Sequence, residues 1–93
     1  MRTVIIDDEE KSRKTIKNFI AKYAPELMVL GEADGVETGI ELIESIQPEL
    51  VFLDVQMGDG TGFDLLGRLQ FADFKLIFCT SYEHYAVKAF RFS

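Results

Sequence analysis

Two apolar runs in this chain end in acid. Val4-Ile5-Ile6 leads into Asp7 and Asp8, and Leu50-Val51-Phe52-Leu53 leads into Asp54. A short β-branched or aliphatic run reads as a strand, and one that is apolar at every position reads as a strand buried on both faces. Each carboxylate therefore stands where a strand leaves the core. Brought to one edge, such carboxylates repel, and each raises its neighbours' pKa unless something compensates. A divalent cation is the economical compensation. Mg²⁺ suits it, taking hard oxygen ligands, keeping several waters and needing only one or two protein carboxylates. Asp7 and Asp8 alone read as a helix cap; with Asp54 in a matching position, the metal reading is favoured. A further run, Lys75 to Thr80 (KLIFCT), ends in hydroxyls at Thr80 and Ser81. These serve either as a cap for a following helix or as a donor aimed at a charged group on Asp54. Gly58, Gly60 and Gly62 follow Asp54. They make an ordinary loop, or a turn whose backbone comes close to a metal or phosphoryl group.

The elements that must position these residues alternate. Arg2 to Ile6 predicts a strand, and Asp7 to Glu10 place acids where a helix would start. Ile16, Phe19, Ile20 and Tyr23 share one face of that helix, which Pro25 ends. Its other face carries Lys11, Arg13, Lys14, Lys17 and Lys22, read as a solvated stripe. Leu27 to Gly31 predicts a second strand. A second helix runs from about Val36, with Ile40, Ile43 and Ile46 inward, and stops before Pro48. Leu50 to Leu53 is a third strand, Phe63 to Leu69 a short helix, Lys75 to Thr80 a fourth strand, and Tyr85 to Phe90 the start of another helix. This β-α alternation implies an α/β domain, a doubly wound parallel sheet with helices on both faces. In such sheets ligands bind beyond the carboxyl ends of the strands, where strand order reverses. Asp54 falls at that edge.

With 93 residues the chain holds one small domain. Hydrophobic residues make up 47%, enough for a core. The formal net charge of -6 argues against nonspecific binding of these residues to nucleic acid. Apolar runs are too short for a membrane span, and the acidic start is unlike a signal peptide. The single cysteine, Cys79, has no internal partner, so a reducing, cytoplasmic setting is expected. Within an apolar strand it reads as a packing residue, as do Phe63, Phe74, Phe78 and Phe90. The lone His84, between Glu83 and Tyr85, reads as a surface residue.

The combination of VIIDDEE (Val4 to Glu10), PELVFLDVQMGDGTGFDLL (Pro48 to Leu66) and LIFCTS (Leu76 to Ser81) resembles the receiver domains of two-component response regulators, in register along the whole chain. Tyr82 to Ser93 resembles receivers that precede LytTR-type DNA-binding output domains. The resemblance implies a flavodoxin-like receiver fold. It also implies that Asp54 is the phosphoacceptor, and that Asp8 and Asp54 ligate Mg²⁺ with Asp7 acting directly or through water. The backbone carbonyl of Gln56 would be a further ligand, and Thr80 would hydrogen-bond the attached phosphoryl group. By the same resemblance, Gln56 and Tyr82 would lie where family members tune the lifetime of the phosphorylated state. The implied partners are a sensor histidine kinase and, through an output domain outside this chain, DNA; no membrane is implied. The implied role is a signalling switch, not a turnover enzyme.

The sequence departs from the family at two places. Gly58 stands where many receivers have proline, which is expected to loosen the loop. The chain also ends at Ser93, before the fifth strand, the phosphoryl-contacting lysine, the aromatic switch residue and the fifth helix. Residues 1–93 are thus expected to be a receiver cut short, with four of the usual five βα units and an open edge on the fourth strand, which makes a homodimer a further candidate partner. Two other functions compete. One is a receiver-shaped interaction module that is not phosphorylated. The other is a phosphohydrolase with an aspartyl-phosphate intermediate, against which Gln56 counts, since enzymes of the haloacid dehalogenase type carry a second acid there.

Overall fold

The computed structural model describes residues 1–79 and 88–92. In order they form β1 (Arg2–Ile6), α1 (Glu10–Tyr23), β2 (Met28–Ala33), α2 (Val36–Ile46), β3 (Leu50–Asp54), β4 (Gln56–Met57), β5 (Gly60–Thr61), α3 (Gly62–Arg68), β6 (Phe74–Cys79) and β7 (Lys88–Phe92). The main sheet runs β2-β1-β3-β6-β7, and β4 and β5 make a separate small hairpin. β1, β2, β3 and β6 are mutually parallel, so the predicted doubly wound α/β arrangement holds across them.

The strands divide their side chains between two layers because successive residues point to opposite faces. Val4, Ile6, Val51, Leu53, Leu76 and Phe78 pack with Val36 and Ile43 of α2 and Leu65 of α3. Ile5, Leu50 and Phe52 pack on the opposite face with Ile20 of α1. The helix ends follow local chemistry. α2 closes at Gln47, which takes a left-handed conformation (φ 51°) just ahead of Pro48. α3 opens with a reciprocal cap: the Asp64 N–H donates to the Thr61 hydroxyl, and the Thr61 N–H donates to the Asp64 carboxylate.

Several sequence expectations are corrected. The end of the chain is not a helix at Lys88 to Phe90; Lys88–Phe92 is a strand antiparallel to β6, with Phe74 opposite Phe92 and Phe78 opposite Lys88. It supplies the hydrogen-bonding partner that the β6 edge would otherwise lack, so the expected open edge is closed and the sheet is mixed. On α1 only Ile20 is buried, while Phe19 and Tyr23 are exposed with rings 5.0 Å apart. Ile16 and Ile20 form the stripe that reaches the sheet, and Phe19 and Tyr23 lie on the neighbouring stripe, past its margin. Phe63 is also exposed, although its ring sits 5.0 Å from that of Phe78. Tyr82, His84, Tyr85 and the phosphoryl-contacting candidate Thr80 lie outside the described residues.

Candidate functional site

β1 and β3 are neighbours, with Ile6 level with Leu53. Asp7 and Asp54 therefore leave the sheet side by side, and Asp8 joins them from the start of the β1–α1 turn. One carboxylate oxygen from each of the three lies within 4.8 Å of the others. Asp7 and Asp54 are buried, at 3% and 1% exposure, and Asp8 is exposed. The simple capping reading of the doublet does not describe this turn. The residue ahead of α1 is Glu9, which makes no side-chain cap, and Asp7 Oδ1 accepts instead from the Glu9 N–H at 2.9 Å.

The electrostatics are those of crowded, buried carboxylates. Burial, then the Asp7 charge beside it, pushes the Asp54 carboxyl up to about 7, against an ordinary value of 3.8. Burial also raises Asp7, reinforced by Asp8 and opposed by the Glu9 N–H bond. Asp54 Oδ1 has only a long contact from the Gln56 N–H, at 3.4 Å, and its buried Oδ2 has no hydrogen-bond partner among the described residues. A buried carboxylate oxygen left bare is costly. Three oxygen donors, one of them orphaned, within the span of a single coordination sphere fit a small divalent cation.

The loop after Asp54 is more ordered than its glycines suggest. β4 and β5 pair Gln56 with Thr61 and Met57 with Gly60, and only Gly60 needs positive φ, at 146°. Gly62 serves a close approach, to the site's own backbone: a Cβ there would lie 2.6 Å from the Asp54 carbonyl oxygen. Gly58 has open space around it. The exposed Gln56 follows Asp54 by two residues at the start of this hairpin. The Cys79 thiol, level with Asp54, is pushed up to about 12 by burial and by the charges of Asp7 and Asp54, which disfavours the thiolate, and the residue packs against the core as expected.

Two supports went unseen in the sequence. Asp59, at the hairpin tip, accepts from the Val36 N–H at 2.7 Å and the Glu37 N–H at 3.2 Å. It caps α2, whose own N-cap, Gly35, offers no side chain. These bonds hold its carboxyl below the usual range. Arg13 and Lys17 are not merely solvated, since both grip Glu32 on β2, at 3.0 and 2.6 Å. Arg13 also donates to the Asp7 carbonyl at 2.8 Å. An acid in a glycine-rich turn was the only sequence hint of the first, and no local pattern announces the second.

A family model, the response regulator receiver domain, matches residues 3–92. Among curated proteins, the chain is 36% identical to the sensory transduction protein LytT of Enterococcus faecalis, over 98% of this chain and 38% of that protein. It is 33% identical to LytT of Bacillus subtilis, over 97% of this chain and 38% of that one. The chain thus spans well under half the length of the curated relatives it matches. Among solved structures, the response regulator domain of Thermotoga maritima CheB superposes with a TM-score of 0.78 at 24% identity, covering 92% of this chain and 66% of that one. No helix among the described residues is long and apolar enough to cross a membrane.

Proposed function

The chain belongs to the response regulator receiver domain family, and from that premise we propose that it is a phosphoacceptor switch charged at Asp54 by a histidine kinase. The observation that carries this reading is the buried Asp54 carboxylate, with one oxygen unpartnered and two further acids within a coordination sphere of it. Such a group is well placed as a nucleophile. One Asp54 oxygen attacks phosphorus, the new O–P bond forms, the P–N bond of a phosphohistidine breaks, and its electron pair returns to the imidazole. Asp54 must be ionised to attack, and the same neighbours that disfavour its charge supply the other oxygens of a cation site.

Asp7, Asp8, Asp54 and the backbone carbonyl of Gln56 would hold Mg²⁺. When bound, it supplies positive charge that offsets the crowded carboxylates and the transferring oxygens. Thr80, next in sequence to the last residue of β6, is assigned the hydrogen bond to the attached phosphoryl group. That group adds negative charge and new acceptor oxygens, enough to bias a two-state surface. An output domain outside these 93 residues is supported by the greater length of the curated relatives, and a DNA-binding one by the name of a further relative, the transcriptional regulatory protein BtsR of Escherichia coli. A cytoplasmic setting follows from the same reading.

Intact mass after incubation with acetyl phosphate and Mg²⁺ tests the proposal. The expected result is a gain of one phosphoryl group in the wild-type chain and none in Asp54→Asn. Modification that persists in Asp54→Asn would place the acceptor elsewhere. An unmodified wild-type chain would favour the non-phosphorylated interaction module.

A further inference from the structure

We propose that Arg13 is a positioning residue for the acidic site, fixing the turn that carries Asp7 and Asp8; the inference rests on the reading above that these acids hold a divalent cation. Arg13 Nη1 donates to the Asp7 carbonyl at 2.8 Å and Nε donates to Glu32 Oε1 at 3.0 Å. Lys17 Nζ holds the other oxygen of Glu32 at 2.6 Å. The guanidinium is thereby oriented by an acid that is itself held from two sides. The Arg13 side chain is 17% exposed, against 41% for Lys17, so it is the enclosed member of the group. The Asp7 backbone is closed at both ends, since its N–H donates to the Ala33 carbonyl at 3.0 Å.

The site needs such a restraint. Asp7, Asp8 and Asp54 repel one another, and the easiest relief is for the turn to swing outward and separate them. A planar guanidinium that satisfies a carbonyl and a carboxylate at a set angle opposes that motion. An ammonium at the same position keeps the charge and loses the fork. Groups that orient metal ligands without touching the metal carry 10–100-fold effects on affinity.

Simple electrostatics predicts the opposite sign, which makes the inference testable. A fixed positive charge near a cation site weakens cation binding, so deleting it on Coulomb grounds alone raises Mg²⁺ affinity. The experiment is a calorimetric Mg²⁺ titration of the full chain as wild type, Arg13→Ala, Arg13→Lys and Asp54→Asn, each beside its thermal melt. Both Arg13 variants are expected to bind Mg²⁺ about tenfold more weakly while melting cooperatively. Arg13→Lys, the milder change, carries the test if Arg13→Ala does not fold. Wild-type affinity in Arg13→Lys, or unchanged or tighter binding in a folded Arg13→Ala, overturns this inference alone. Absence of any Asp54-dependent Mg²⁺ binding in the wild type overturns the cation reading and this inference with it.

Discussion

Along β3, Val51 and Leu53 are fully enclosed among apolar side chains, whereas Asp54, one residue further and just as buried, faces two other carboxylates with an oxygen left bare. β1 repeats the contrast between Ile6 and Asp7. The interior of these strands removes apolar surface from water and stabilises the domain. The carboxylates at the ends of the same strands bury charge beside like charge and oppose folding. One residue separates the two regimes because the sheet ends there. Fold stability and chemistry are thus carried by adjacent positions, with opposite signs.

The largest effect should come from the interior. Leu53→Ala removes a fully enclosed side chain and is expected to cost about 2–5 kcal/mol in chemical denaturation. A loss well below that would mean the layer under α2 and α3 can collapse around the gap, and the contrast with Asp54 would soften.

The edge should show itself in pH dependence. Folding raises the Asp54 pKa from 3.8 to about 7, so between these values the native state binds a proton that the unfolded chain has released. Stability linked to this group is therefore fully present below pH 3.8 and is lost as pH rises through about 7. Glu32, Glu49 and Asp59 shift downward and so act at the acid end, where stability is lost as pH falls. Unfolding free energies measured from pH 5 to 8 in chelator should fall with pH by an amount on the order of a few kcal/mol. A flat profile there would mean the three acids relieve one another in the free protein.

The smallest effects belong to the caps around the site. Thr61→Ala breaks the local cap of α3 and should cost about 1 kcal/mol. Asp59→Ala removes the distant cap of α2 and should lower the melting temperature as well. It differs in one respect: it also frees the hairpin that carries Gln56, so it should weaken Mg²⁺ binding where Thr61→Ala does not. Equal Mg²⁺ affinities in the two variants would show the hairpin to be held without Asp59.

These two caps also mark what could be read from sequence. Thr61 and Asp64 stand at the three-residue spacing of a reciprocal cap, within reach of local pattern. Asp59 reaches an N-terminus 23 residues earlier, and Arg13 reaches the Asp7 carbonyl and a strand 19 residues later, contacts that only the packed fold creates. The four parallel strands and the convergence of Asp7, Asp8 and Asp54 were legible because strand period and topology dictate them. Phe19 and Tyr23, expected on the apolar face of α1, and Phe63, expected in the core, are exposed because helical periodicity gives a helix's apolar face but not the width of the sheet beneath it. The helix expected over Tyr85 to Phe90 gives way to a strand from Lys88, and nothing in Lys88 to Phe92 itself names the β6 edge as its partner.

The most direct measurement is the unfolding free energy of the wild type and Asp54→Asn at pH 8, each in chelator and in saturating Mg²⁺. If Asp54 is a buried charge kept for a cation and a phosphoryl group, Asp54→Asn is the more stable protein in chelator, and Mg²⁺ stabilises the wild type far more than the variant. An Asp54→Asn chain that is no more stable than wild type in chelator, and that gains as much from Mg²⁺, would contradict the account.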